Sequence, residues 1–335
     1  MSRIVVLGSG AWGTAIALSL HRHGGHQVTL WAHSPEAAQE IIEPRENILF
    51  LPGFPIPPEI VITGDVAAVA DAHIIVSVVP SEFLRSTLSR IRPHLHLGQF
   101  IVSATKGVED RTFLRMTQVI SETLEKVGLL LSIGAFSGPS FALEVAQGQP
   151  TAVTVAFSDP EIATLIQHEF SSATLRLYTS TDVIGVELGG ALKNVIAIAA
   201  GVAAGVGLGH NSAAALMTRG IAEITRLAVA CGGRRETLAG LSGVGDLVLT
   251  CTGSLSRNRT VGQALGQGRG LPEILESLGG KVAEGVFTTR AALGLAARHK
   301  IEMPITEQME LILNHGKDPR EAIKELMLRP GKDEH

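Results

Sequence analysis

Gly8-Ser9-Gly10-Ala11-Trp12-Gly13 follows directly on the apolar run Ile4-Val5-Val6-Leu7 and leads into Thr14–Leu20, an apolar stretch with helical spacing. Strand, glycine turn and helix in that order are the context in which a G-x-G-x-x-G pattern signals dinucleotide binding. Gly8 permits the tight turn, Gly10 lets the backbone approach a pyrophosphate, and Gly13 lets the helix pack closely on the strand. The free N–H groups of the helix N-terminus then face the anion.

Working outward, short apolar runs recur at Val28–Trp31, Ile74–Val79, Phe100–Ala104, Ile133–Ser137, Thr151–Phe157 and Leu175–Tyr178, with helical segments between them. Continuous Val/Ile runs of this kind fit strands covered on both faces, so a mainly parallel, doubly wound sheet is predicted. The Pro-rich patch Pro52–Pro58 reads as a loop, because proline removes backbone donors. After Tyr178 the pattern turns helical. A first helix is predicted to start near the cap candidates Thr181 and Asp182, with others at Ser212–Cys231, Thr260–Gln267, Leu271–Leu278, Thr288–His299, Ile305–Leu313 and Pro319–Met327. The chain is thus expected to be α/β, with a Rossmann-like domain over residues 1–180 and an all-helical substrate and catalytic domain over 181–335.

The bulk numbers narrow the function. Across 335 residues, 28 Lys and Arg against 32 Asp and Glu leave a net charge of -4, unsuited to a nucleic-acid partner. Cys231 and Cys251 lie in no metal or redox motif and read as plain thiols in a cytoplasmic protein; no metal cluster is visible. The longest greasy stretch, Val195–Gly209, is shorter than the ~18–20 residues of a membrane span. It reads as a buried helix.

A NAD-specific site carries Asp or Glu after the second strand, to bind the ribose 2′-hydroxyl. Here Ala32, His33 and Ser34 follow Trp31, so NADPH use is expected, with NADH also accepted and His33 facing the phosphate. Lys106 falls at the carboxyl end of the Phe100–Ala104 run, where ligands of open α/β sheets bind. Gly138-Pro139-Ser140 forms a turn in which Ser140 is expected to cap the next helix. Lys193 and Asn194 interrupt an apolar helix, and a buried cation is costly unless it faces a cleft. Lysine protonates a ketone best when its pKa is drawn toward working pH, and Lys106 and Arg257 are expected to supply that pull. Asp246 would oppose it. Ser256-Arg257-Asn258 opens a helix in a way that suits a phosphate dianion.

Taken together, GSGAWGTA, LWAH, SATKG, FSGPSFALEVA, ELGGALKNVIAIAAG, GHNSAAALMTRG, LSGVGDLVLTCTG, SRNR and VAEGV stand in order along nearly the whole chain. In this they resemble the bacterial NAD(P)-dependent glycerol-3-phosphate dehydrogenases. The resemblance implies reversible reduction of dihydroxyacetone phosphate to sn-glycerol 3-phosphate for phospholipid synthesis, with Lys193 as acid and base. It implies that Lys106, Gly138, Ser140, Asn194, Asp246, Ser256, Arg257 and Asn258 surround the substrate. Cofactor contacts would come from the glycine turn with Ala11 and Trp12, and from His33, Lys106, Ala142, Arg257, Val282 and Glu284. Many members carry Ser at the position of Ala11, so a hydroxyl contact is lost there. Alternatives are a carboxylate-preferring reductase of the same architecture, such as a ketopantoate reductase, and a nucleotide sensor without chemistry. A homodimer is the expected assembly.

Overall fold

Parallel strands covered on both faces bury runs such as Ile74-Ile75-Val76, and most strand pairs in the chain's first half are parallel. The structure, a computed structural model, describes residues 1–279, 282–331 and 333. Among the described residues ten strands occur: β1 Arg3–Leu7, β2 Gln27–Trp31, β3 Glu46–Asn47, β4 Leu51–Pro55, β5 Val61–Thr63, β6 Ile74–Ser77, β7 Phe100–Ser103, β8 Ser132–Ser137, β9 Thr151–Ala156 and β10 Leu175–Ser180. Eight of them form one sheet in the order β10-β9-β8-β7-β6-β1-β2-β5. Within this sheet the β8–β9 pair is antiparallel and the other pairs are parallel. From β1 the chain builds outward to β2 and β5, then returns to β6 on the other side. The carboxyl ends of β1 and β6 therefore flank the switch point at which ligands of such sheets bind.

Two expectations need correction here. Pro52–Pro58 is not simply a loop: Leu51–Pro55 is β4 and pairs with β3 in a separate two-stranded ribbon with a register shift. Its prolines are tolerated because the ribbon has no further neighbour to donate to. The helix after the glycine turn is also longer than expected, Ala11–His23.

Asp182 starts the helical half. Its carboxylate accepts from Gly185 N at 2.9 Å and from Arg234 N at 2.8 Å, capping helix Val183–Gly205 and anchoring a neighbouring loop. That helix is 23 residues long, joining the expected start at Asp182 to most of the greasy stretch Val195–Gly209, and as a whole is apolar enough to cross a membrane by length and composition. It is instead mostly buried inside the protein. Helix Arg257–Gly266 crosses it backbone against backbone. A Cβ added at Gly262 would lie 1.9 Å from Ile198 O, and one at Gly201 2.1 Å from Arg259 O. Around this seam pack helices His210–Ala230, Glu284–His299, Pro304–His315 and Pro319–Met327. Between Ala230 and Arg257 lie elements not foreseen: a turn of helix at Arg235–Leu238, a π-turn at Leu241–Gly245 and helix Asp246–Thr252.

Candidate active site

The glycine turn is sterically enforced. Gly8 has φ +113°, which side chains rarely adopt, and a Cβ at Gly13 would lie 1.8 Å from Gly8 O. At Gly10 a Cβ would meet nothing within 4 Å, so a ligand can approach the backbone. The first turn of helix Ala11–His23, opened by Ala11 and Trp12, carries no acidic residue to compete for its N–H groups. Trp12 stacks on Phe136 with ring centroids 6.2 Å apart. Beneath the turn, buried Asn47 donates to Ser9 O at 2.7 Å and to Thr14 Oγ1 at 2.8 Å. The β3–β4 ribbon thereby braces the loop. These features fit a dinucleotide pyrophosphate. After β2, Ala32 is buried and His33 is exposed.

Across the crevice, β7 delivers Lys106 and the long apolar helix delivers Lys193, and both reach one carboxylate. Lys106 Nζ donates to Asp246 Oδ2 at 2.8 Å. Lys193 Nζ donates to Asp246 Oδ1 and, at 2.7 Å, to Thr250 Oγ1. Thr250 in turn donates to the Asp246 carbonyl at 2.7 Å. Ser137 Oγ lies 3.5 Å from Asp246 Oδ2. The helix gets this close because residue 190 is glycine: a Cβ there would sit 2.3 Å from Ser137 Oγ.

Lys193 is 6% exposed and Asp246 0%. Burial pulls the Lys193 pKa down to about 7; attraction to Asp246 opposes the fall and the Lys106 charge assists it. Burial alone would raise the Asp246 carboxyl, but Lys106 and Lys193 together hold it below the ordinary carboxylate range. Lys106 is thus the neighbour expected from the sequence. Arg257 is not: its charge acts on Glu284 instead.

Ser256 caps helix Arg257–Gly266, accepting from Arg259 N at 3.2 Å, and leaves Arg257 exposed at the first helical position. Asn258 Nδ2 donates to Asn194 Oδ1 at 3.0 Å, and Asn258 Oδ1 accepts from Gly285 N at 3.0 Å. One amide chain so ties the arginine helix to the lysine helix and to the segment that holds Val282 and Glu284. Glu284 accepts from Ser81 Oγ at 3.0 Å, and burial pushes its carboxyl up to about 7 against that bond. Gly138 follows β8 with φ +146°. Ser140 does not cap the next helix, as the sequence suggested: its hydroxyl turns back to Gly138 O at 2.9 Å, and Phe141 precedes helix Ala142–Ala146. Ser140 stands one residue ahead of the capping position, and its hydroxyl is committed to the Gly138 carbonyl.

Three polar residues of the site escaped sequence reasoning: Asn47, Ser81 and Thr250. Thr250 was within reach, since four residues after Asp246 on a helix is the same face. Ser81 sits just beyond β6, at the switch point.

The glycerol-3-phosphate dehydrogenase pattern recurs in known proteins. Residues 3–163 match the family described as NAD-dependent glycerol-3-phosphate dehydrogenase N-terminus, and residues 182–324 match its C-terminus. The chain is 61% identical to the glycerol-3-phosphate dehydrogenase (NAD(P)+) of Acidobacterium capsulatum over 100% of both chains. It is 57% identical to that of Koribacter versatilis, over 100% of this chain and 99% of the relative. The crystal structure of glycerol-3-phosphate dehydrogenase from Coxiella burnetii superposes with a TM-score of 0.93 at 38% identity, covering 98% of this chain and 99% of that one.

Proposed function

The chain belongs to the NAD-dependent glycerol-3-phosphate dehydrogenase family, and from that premise we propose that Lys193 is the proton donor and acceptor of its reaction. That reaction is the NAD(P)H-dependent reduction of dihydroxyacetone phosphate to glycerol 3-phosphate. When bound, the nicotinamide supplies the hydride; the protein must supply a proton to the oxygen that becomes an alcohol. The observation that carries the assignment is a buried lysine with a pKa near 7 whose ammonium is tethered on two sides. Lysine has three N–H donors. Asp246 and Thr250 take two, and the third is left for a substrate oxygen.

Around that proton, Lys106, Gly138, Ser140, Asn194 and Asp246 would hold the carbonyl and hydroxyl end of the substrate. Ser256, Arg257 and Asn258 would hold its phosphate, where a helix N-terminus and a forked cation act together. Gly8, Gly10, Ala11, Trp12 and Gly13 would hold the pyrophosphate. His33, Lys106, Ala142, Arg257, Val282 and Glu284 complete the cofactor contacts in this reading. Residues 1–180 would form the dinucleotide-binding domain and 181–335 the domain that brings Lys193 and the phosphate-binding loop, with each lending residues to the other's ligand. The absence of an acid after β2 supports a preference for NADPH over NADH. A cytoplasmic, homodimeric enzyme fits two free thiols and the commonest closed symmetry.

Lys193→Ala is expected to cut turnover of dihydroxyacetone phosphate by ~10²–10⁴, the usual contribution of a positioned acid. Cofactor binding, followed by quenching of tryptophan fluorescence, should persist. A variant that turns over normally would remove Lys193 from the chemistry.

A further inference from the structure

We propose that Arg90 is the residue that selects for the 2′-phosphate of NADPH, an assignment that rests on reading the β1 turn as a dinucleotide site. In such folds the residues after the second strand face the adenosine ribose; an acid there favours the free hydroxyl, and a cation accepts the phosphate. Here that stretch holds neither a carboxylate nor a permanent cation, only Ala32-His33-Ser34. The permanent cation arrives from another crossover. Helix Ser81–Ile91, which follows β6, carries Arg90 in its last turn. The guanidinium carbon stands 5.5 Å from the centre of the Trp31 ring, the final residue of β2. Nη1 donates to the His33 carbonyl at 3.0 Å.

These two contacts fix the group at the tip of β2 and engage little of its hydrogen-bonding capacity, since a guanidinium carries five N–H donors. Among the described residues no carboxylate forms a salt bridge with Arg90. The side chain is exposed and lines a cleft of about 540 Å³ together with Gln39, Thr63 and Gly64. Asp65 lines the same cleft, but its carboxylate is engaged in capping, accepting from Ala67 N at 2.9 Å. An arginine held over an aromatic ring and by one backbone carbonyl, with further N–H donors to spare, suits the forked geometry of a phosphate. His33, by contrast, carries a full charge only when protonated.

The test is a calorimetric titration of the full-length protein with 2′,5′-ADP and with 5′-AMP, fragments that differ only in the 2′-phosphate. The wild type should bind 2′,5′-ADP more tightly. Arg90→Ala should weaken that fragment by about 10- to 100-fold, the worth of one or two charge-assisted bonds, while affinity for 5′-AMP holds. Arg90→Met, whose stem still covers the Trp31 ring, should show the same loss with unchanged tryptophan emission. Were the wild type to bind both fragments equally, the NADPH preference itself would fail. Were it to prefer 2′,5′-ADP, and both Arg90 variants keep that preference while His33→Ala loses it, the clamp would be His33 and the role given to Arg90 overturned.

Discussion

A lysine beside a carboxylate ordinarily stays charged well into the alkaline range; at Lys193 burial outweighs that attraction and brings the pKa to about 7. In the proposed role ketone reduction uses the ammonium, so kcat/KM should fall as pH rises through about 7, whereas oxidation of glycerol 3-phosphate uses the free amine and its kcat/KM should rise over the same interval. Because Lys106, Asp246 and Lys193 share contacts, the midpoint belongs to the group. Lys106→Met removes a charge that lowers the Lys193 pKa and leaves Asp246 to Lys193 alone, so both pH profiles should shift to the alkaline side. An unmoved midpoint would separate Lys106 from the proton. Lys193 was legible in the sequence because a cation in an apolar helix is anomalous on its face. Its partners were legible only in part: Asp246 stood out between glycines, but nothing local tells Lys106 that a carboxylate 140 residues later will meet it.

At the scale of elements, the helix ends carry the instructive cases. Pro304–His315 has no cap of its own; instead buried Glu223, from helix His210–Ala230, accepts from Ile305 N at 2.6 Å and from Thr306 Oγ1 at 3.2 Å. Burial pushes its carboxyl up to about 7. A raised acid pKa contributes stability that is complete below the unfolded value near 4.5 and is lost as pH rises toward 7, because the unfolded chain ionises first. Glu223→Gln, which cannot ionise, should flatten the dependence of Tm on pH across that window. A mutant with the wild-type slope would assign the effect elsewhere. The same scale shows where sequence reading stops. Long periodic helices and buried parallel strands were recognisable, since each pattern repeats within the element. The β3–β4 ribbon was masked by its prolines, β5 has three residues, and the π-turn Leu241–Gly245 is defined by a bond from Gly245 N to Gly240 O at 3.1 Å that has no periodic signature.

For the whole molecule, the helix Val183–Gly205 is the common member of both halves. Val186 packs on Ala135 of β8 and Ala156 of β9, while the rest of the helix lies at the centre of the helical core. Glu187 ties the two sides further, accepting from Thr117 N at 2.8 Å and Thr117 Oγ1 at 2.6 Å and pairing with Arg115. Glu187→Ala would leave the N–H of buried Thr117, at a helix start, without its partner, at a cost of ~1–3 kcal/mol. The expected result is a lower Tm and a raised KM for dihydroxyacetone phosphate, with dinucleotide affinity kept, because Lys106 and Lys193 are presented to Asp246 from opposite sides of that tie. Equal losses for substrate and cofactor would point to general unfolding instead.

The same helix has a second consequence, for biosynthesis. As it leaves the ribosome, before its neighbours exist to cover it, a 23-residue apolar segment offers the membrane-insertion machinery a plausible substrate. Lys193 stands near its middle, where a charged residue opposes insertion by about 2.5–3.5 kcal/mol. The side chain proposed for proton transfer in the finished enzyme thus also weighs against insertion of the nascent segment as a span.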